Sequence, residues 1–554
     1  MPRPVRLLAT ALVAATSLAL ASCSAGAPEE PSADTSSATA GATSAERLRI
    51  GILSEEGNLT PHTYNTGFTG LNLMMLTYDT LMQIDASGTP QPWLAEEVEV
   101  SEDGLTYTLT LAEGVTWHDG ETLDAEDVAF SVEYYKSGPP GRFQNALRLV
   151  ESASVVDPGT VQLTLSEPNP SFELRTLADV PILPEHVWSD VTAPDTEPYS
   201  EETSVGSGPY RLVDSQPGTS YSFEAYPEYF RGAPKVDEIV AIQFADDAGA
   251  IAALRSGEVD TLMRVISPEQ IQALQGQGDL AVIEAPEYTT TLLAYDTQRP
   301  PFDDQAFRQA LMTGIDVQQL VDDVYLGAAV PGNPGWVHPD SVYYNPDVTV
   351  EHDPDAAAAL LEDAGYTDSD GDGVRESSGE PLSVELLVAG NNALRLRIAE
   401  LLASQLGEIG IGVEVAAVET QTLDDAVWPG YDVNNGRDYD MAIWGWSAPT
   451  QADIGQFAAL VHSDPEIGNL NVTGYADPTT DEIAERLLTS LDENDRLQAA
   501  HELQERFAET APFVPLLYPN GVYAYRSQVF DDWRSITGIG PMTKLSFIPD
   551  EGQP

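Results

Sequence analysis

The sequence predicts an α/β fold, and two observations carry that prediction. Strand-like and helix-like segments interleave from residue 48 to the end of the chain, with no heptad run, tandem repeat or second membrane-length apolar run between them. The 554 residues are 42% hydrophobic, which supplies enough apolar side chains for more than one packed domain.

The chain opens with Arg3 and Arg6, followed by an apolar run from Leu7 to Ala21. A stable span needs roughly 20 apolar residues, so residues 1–22 read as a removable signal peptide. The only cysteine, Cys23, closes the tetrad Leu20-Ala21-Ser22-Cys23, which resembles a bacterial lipobox. That resemblance implies cleavage before Cys23, diacylglycerol on its sulfur and attachment to the outer face of the cell membrane, held stably if more than one acyl chain is added. A plain secretory signal with a chance cysteine is the alternative. A lipidated Cys23 leaves no thiol for a disulfide, a zinc site or a nucleophile. Residues 24–45 are mostly Ser, Ala, Thr, Pro and Gly, so 23–45 read as the lipidated cysteine and a flexible tether.

Order begins with an alternating strand at Leu48–Leu53. Thr106–Leu111 alternates as a strand, Glu113-Gly114 turns the chain towards Val115-Thr116-Trp117, and Asp103-Gly104 and Asp119-Gly120 are turn dipeptides. Trp117 reads as a packed edge aromatic and His118 as structural or exposed. Asp124–Tyr135 reads as a helix with the capping pattern Asp124-x-x-Asp127. Further on come a strand at Val384–Val388, an amphipathic helix at Asn391–Gly407 ending on a glycine suited to a left-handed cap, and a buried strand at Val413–Val418.

Charge narrows the function. Twenty-five basic against 89 acidic side chains give −64, with only Lys136, Lys235 and Lys544 as lysines. Such a surface repels phosphate backbones and anionic headgroups, which excludes nucleic acid as a partner. It reads as a solubilising coat, with selection for a cationic ligand as the alternative. The chain has no GxSxG, SxxK or HExxH pattern, its seven histidines are scattered without zinc spacing, and no GxxxxGK[ST] loop is present. These absences argue against an enzyme, and no cofactor is expected to be required.

Read in order, the segments resemble the large solute-binding proteins of ABC importers, family 5, which take oligopeptides, dipeptides or nickel. The resemblance rests on Pro92-Trp93-Leu94-Ala95-Glu96, on Ser101-Glu102-Asp103-Gly104-Leu105-Thr106-Tyr107 through Gly114-Val115-Thr116-Trp117-His118-Asp119-Gly120, and on Gly206-Ser207-Gly208-Pro209-Tyr210. Pro301-Phe302-Asp303-Asp304, Asp440-Met441-Ala442-Ile443-Trp444-Gly445-Trp446 and Pro512-Phe513-Val514-Pro515-Leu516 extend it. It implies a two-lobed periplasmic-binding-protein-like fold of type II, in the large cluster with an extra subdomain in lobe I. Lobe I is expected at 46–85, 205–290 and 520–550, the inserted subdomain at 86–204 and lobe II at 291–519. The crossovers then fall near Thr291–Tyr295 and Leu517–Pro519. Such lobes close on ligand, and the closed form addresses permease subunits in the membrane. The implied protein is a monomer, and its cargo is a peptide or a similar small polar solute. A nickel or metal-chelate receptor of the same family is the alternative, and an exported hydrolase stands behind both.

The resemblance also places the cleft. Trp444, Trp446 and Ser447 follow a second-lobe strand, and Gly445 allows close backbone approach to a ligand. Peptide-binding relatives hold the ligand ammonium on an aspartate three positions after the tryptophan matching Trp446. Here that position is Pro449. A desolvated ammonium with no carboxylate costs roughly several kcal/mol, so Asp453 is the substitute to examine. Tyr64, Asn65 and Thr66 are expected at the cleft mouth on lobe I, or else form an ordinary surface loop. His62 is a loop hydrogen-bonder or a metal contact. Asn391 sits where a strand C-terminus meets the cleft, and Asn392 is a cleft residue or a helix cap.

Separately, Asp368, Asp370, Asp372, Val374 and Glu376 occupy the first, third, fifth, seventh and ninth places of a calcium-type loop, with Gly373 at the sixth. The twelfth place is Gly379, and the next acid is Glu380. Structural calcium is one reading and a solvated acidic hairpin the other.

Overall fold

The computed structural model describes residues 41–64, 68–139, 141–197, 200, 203–274 and 277–550. The signal segment, Cys23, the tether up to residue 40, Asn65 and Thr66 lie outside the described residues. Among the described residues no helix is long and apolar enough to cross a membrane.

A 12-stranded sheet runs through the molecule. From one edge ten of its strands run Gly412–Val418, Ser383–Ala389, Met441–Trp446, Thr290–Tyr295, the long strand Val514–Arg526, then Thr261–Leu262, Ala45–Ile52, Val236–Gln243, Ser220–Ala225 and Tyr210–Gln216, while Leu280–Pro286 and Ala329–Pro331 pair with the long strand outside this order. The long strand joins two halves. Val514, Pro515 and Leu517 pair with Thr290–Tyr295, whereas Asn520–Arg526 pair with Leu280–Pro286. Proline has no N–H to give the ladder, and where Pro515 pairs with Leu292 the register shifts between Thr291 and Leu292. A second passage between the halves, Glu287–Thr289, packs closely on Gly521, where a Cβ would meet Glu287 Cγ at 2.8 Å. The two halves of the sheet are the two lobes.

Each lobe has its own core. That of the second is built from Leu292–Leu517, with Leu386, Met441, Ile443, Phe457 and Phe507 all buried. The core of the first is shared with a separate four-stranded sheet of Ala95–Val100, Thr106–Leu111, Thr160–Leu165 and Val150–Asp157, so Tyr107, Leu109, Val161 and Leu163 pack with Leu48, Ile50, Tyr210 and Phe223. A smaller core lies under the helices Asp247–Ser256 and Pro268–Leu274, against Val522 and Ala524 of the long strand.

Local expectations meet local structure closely in several places. Thr106–Leu111 is a strand, and the helix Ala125–Ser137 starts at Asp124 with a full capping box shared with Asp127. Trp117 is fully buried and donates its indole N–H to Asp127 at 3.1 Å. His118 is structural: Nε2 donates to Gly208 O at 2.9 Å, and Nδ1 accepts from Gly206 N at 3.2 Å. Two expectations need correction. Gly407 lies inside its helix, Ala393–Glu408, and Gly410, at φ +86°, is the left-handed residue that turns the chain out. Gly412–Val418 is an edge strand and only half-buried, because no strand among the described residues pairs its outer side.

Candidate functional site

The strands Ser383–Ala389, Gly412–Val418 and Met441–Trp446 run parallel, so their C-terminal ends share one edge, the edge at which open α/β sheets bind ligands. Three structures converge there: the tip of Met441–Trp446, the start of helix Ala393–Glu408, and helix Thr420–Val427.

Alternation along the strand puts Trp444 and Trp446 on one face and Gly445 on the other. Trp444, Trp446 and Trp428 form an edge-to-face aromatic shelf, with ring centroids at 6.1 and 5.5 Å, and the 62% exposed Tyr431 extends it from Trp428 at 5.5 Å. Trp446 is half-buried and Ser447 exposed. The indole N–H groups of Trp444 and Trp428 and the hydroxyl of Thr290 are buried without acceptors.

The other face holds the feature that sequence reasoning missed. A Cβ at Gly445 would collide with the Arg395 guanidinium and the Thr290 carbonyl. The glycine therefore makes room for an arginine and the neighbouring strand, which corrects the expectation that it admits ligand. Arg395 is half-buried and, among the described residues, has no hydrogen-bond acceptor and no ion-pair partner for its side chain. Burial pulls its pKa below the ordinary arginine value, with Tyr325 and Asp424 close enough to oppose that shift. An arginine on an amphipathic helix ordinarily points to water, so no pattern in the sequence marked it.

The remaining candidates are dispersed. Asn391 is exposed and accepts from Thr420 Oγ1 at 3.3 Å, while Asn392 caps its helix, accepting from Arg395 N at 3.0 Å. Tyr64 is buried in the first-lobe core beside Phe143, its hydroxyl unpartnered. Among the described residues, His62 neither hydrogen-bonds through Nε2 nor joins other metal-ligating groups. It lies among Tyr134, Tyr135 and Trp188, and burial lowers its pKa to about 4.

Asp453 is not a free anchor. It is 4% exposed, accepts from Ser171 Oγ at 2.8 Å and from Gly455 N at 3.0 Å, and faces Arg175 at 3.8 Å and Arg496 at 3.7 Å. Ser171 and Arg175 belong to the subdomain of the first lobe, so this carboxylate helps join the lobes. Arg496 adds hydrogen bonds to Pro170 O at 3.0 Å and Ser171 Oγ at 2.8 Å. A second contact between the lobes pairs Arg397 with Glu269 at 2.6 Å. The helix bearing Arg395 therefore reaches the opposite lobe through Arg397.

In the acidic loop, oxygens of Asp368, Asp370 and Glu376 lie within 4.8 Å of one another. Asp372 instead accepts from Val374 N at 2.8 Å, and Asp368 accepts from Gly371 N and Gly373 N. Glu380 pairs with Ser377 in a short hairpin. Asp368, Asp370 and Glu376 fit a hard cation's preference for oxygen donors.

Comparison with known proteins bears on the family and the fold. Residues 89–466 match the bacterial extracellular solute-binding proteins, family 5 Middle. The oligopeptide-binding protein AppA of Bacillus subtilis is 26% identical over 470 residues, covering 82% of this chain and 83% of AppA. Among solved structures, the substrate-binding protein CtaP of Listeria monocytogenes superposes with a TM-score of 0.77 at 23% identity, over 92% of this chain and 100% of CtaP. NikA of Brucella suis, solved with Fe(III)-EDTA, superposes with a TM-score of 0.76 at 24% identity, over 91% and 100%.

Proposed function

The chain belongs to family 5 of the bacterial extracellular solute-binding proteins, and from that premise we propose that its cargo is a peptide or a similar small polar solute, held on the shelf of Trp444, Trp446 and Trp428 and delivered to an ABC permease. It is an extracytoplasmic receptor of an ABC importer and not an enzyme. The single observation that carries the choice of cargo is this aromatic cluster, half-buried Trp446 and Trp428 over buried Trp444, beside buried donors that lack acceptors. Aromatic faces accept varied side chains, while unpaired donors favour a carbonyl- or carboxylate-rich ligand.

Thermal unfolding in the presence of short peptides, sugars, heme and nickel chelates tests this reading, since a ligand that binds only the folded state raises the melting temperature. Peptides are expected to raise it. Trp446→Ala is expected to weaken that effect while leaving the ligand-free circular dichroism spectrum unchanged. Stabilisation by nickel chelates alone overturns the reading.

Three finer properties belong to the same proposal. Cys23 carries the lipid anchor, the receptor works as a monomer, and Asp368, Asp370 and Glu376 hold structural calcium. The lipobox resemblance supports the first, and the oxygen cluster supports the third. Mass spectrometry of the mature amino terminus, with Cys23→Ser as control, decides the anchor.

A further inference from the structure

We propose that Arg395 anchors a carboxylate of the bound solute, so that the receptor recognises its cargo by an acidic end and not by an ammonium group. The inference rests on the solute-binding reading above and adds the chemical class of the recognised end.

Three observations carry it. The guanidinium is half-buried at the strand edge and unpartnered among the described residues, in a chain with 89 acidic side chains that could have paired it. Its nitrogens are not among the buried unpartnered atoms, so the guanidinium is partly desolvated yet open to an incoming anion. Gly445 is the residue that makes the place possible, because any larger side chain would displace the guanidinium. Two residues further along the same helix, Arg397 reaches Glu269 of the first lobe, which puts this helix end at the junction of the lobes.

The surroundings select among anions. Asp424 is felt electrostatically by Arg395 but forms no ion pair with it. One planar guanidinium matches one carboxylate through two parallel hydrogen bonds, whereas a phosphate dianion would leave a charge uncompensated beside Asp424. The expected ammonium anchor is also missing, since Pro449 stands in its place and Asp453 is already engaged.

The test uses the full mature chain, stripped of bound material by unfolding and refolding. It is equilibrated with one randomised pool of short peptides in three forms: free at both ends, acetylated at the amino end, and amidated at the carboxyl end. Retained peptides are identified by mass spectrometry, and the best-retained sequence is titrated calorimetrically. The free and acetylated forms are expected to bind, and the amidated form to bind roughly tenfold or more weakly, as loss of a charge-assisted hydrogen-bonded pair implies. Arg395→Gln is expected to lose about the same factor for the free acid and to stop distinguishing acid from amide. Arg395→Lys, which keeps the charge and loses the fork, should fall between them. Equal affinity of wild type for acid and amide, or full discrimination retained in Arg395→Gln, overturns the anchor and leaves the peptide reading standing. Retention of none of the pools overturns the peptide reading and the anchor with it. The acid-to-amide ratio of the wild type decides the matter even if a variant fails to fold.

Discussion

At the scale of single residues, one of the three lysines serves a buried acid, and burial holds His118 neutral. Lys544, one of three lysines, is 4% exposed and reaches Asp79, itself fully buried, at 2.5 Å. The same carboxylate accepts from Trp93 Nε1 at 2.8 Å and Tyr229 hydroxyl at 3.0 Å, which explains the tryptophan in Pro92-Trp93-Leu94. Lys544→Met strands that charge and is expected to cost about 3–5 kcal/mol in urea unfolding. His118 tests the opposite case. Burial lowers its pKa to about 4, so its neutral form stabilises the fold above pH 6.5, and that stability is lost as pH falls from 6.5 towards 4, because the unfolded chain takes up the proton first. Buried acids such as Glu287 and Asp127, whose pKa values are raised, act in the other direction and partly offset the loss. His118→Gln keeps both hydrogen bonds without titrating. Between pH 7 and 5 the wild type should therefore lose about 2 kcal/mol relative to the variant, read as the pH dependence of the difference in urea midpoints.

At the scale of elements, legibility in the sequence followed the range of the forces involved. The capping box at Asp124, the strand Thr106–Leu111 and the cap at Asn392 depend on neighbours within a few residues, and each was readable. Gly206-Ser207-Gly208 was readable only as a motif; its reason is distant. A Cβ at Gly206 would collide with the Thr77 carbonyl, and one at Gly208 would lie 2.5 Å from the Leu76 carbonyl, because Gly208 N and Tyr210 N bond to Thr77 O and Leu76 O. Gly206→Ala is expected to destabilise by about 2–4 kcal/mol in urea, by forcing this backbone pairing apart and breaking its bond to His118. Arg395, Trp428 and the engagement of Asp453 were unreadable for the same reason, since each is defined by a partner from another lobe or another crossover. The acidic loop is intermediate: its spacing was visible, but the use of Asp372 as a turn acceptor was not. If the loop holds calcium, calorimetry should show heat on calcium addition to wild type and none with Asp370→Ala. No heat from wild type makes it a solvated hairpin.

At the scale of the whole molecule, two lobes share one long strand and also meet through side-chain contacts outside their cores. On one side Ser171 bridges Asp453 and Arg496; on the other Glu269 meets Arg397, both half-exposed. An exposed pair of that kind contributes about 0–1 kcal/mol, and the two hydrogen bonds of Ser171 roughly 1–2 kcal/mol more. Neither contact belongs to the interior of a lobe, so removing both leaves each core intact while biasing the equilibrium towards an open form by about tenfold or more. Ser171→Ala with Glu269→Gln is therefore expected to increase the ligand-free radius of gyration in small-angle X-ray scattering, with little change in the melting temperature. A saturating cargo peptide should return the scattering curve to that of the liganded wild type, because its contacts with both lobes replace the lost ones. Its affinity should fall by about the factor by which the closed population fell. An unchanged ligand-free scattering curve would show that the two chain passages and the remaining contacts of Arg496 with Pro170 and of Arg175 with Asp453 hold the angle between the lobes.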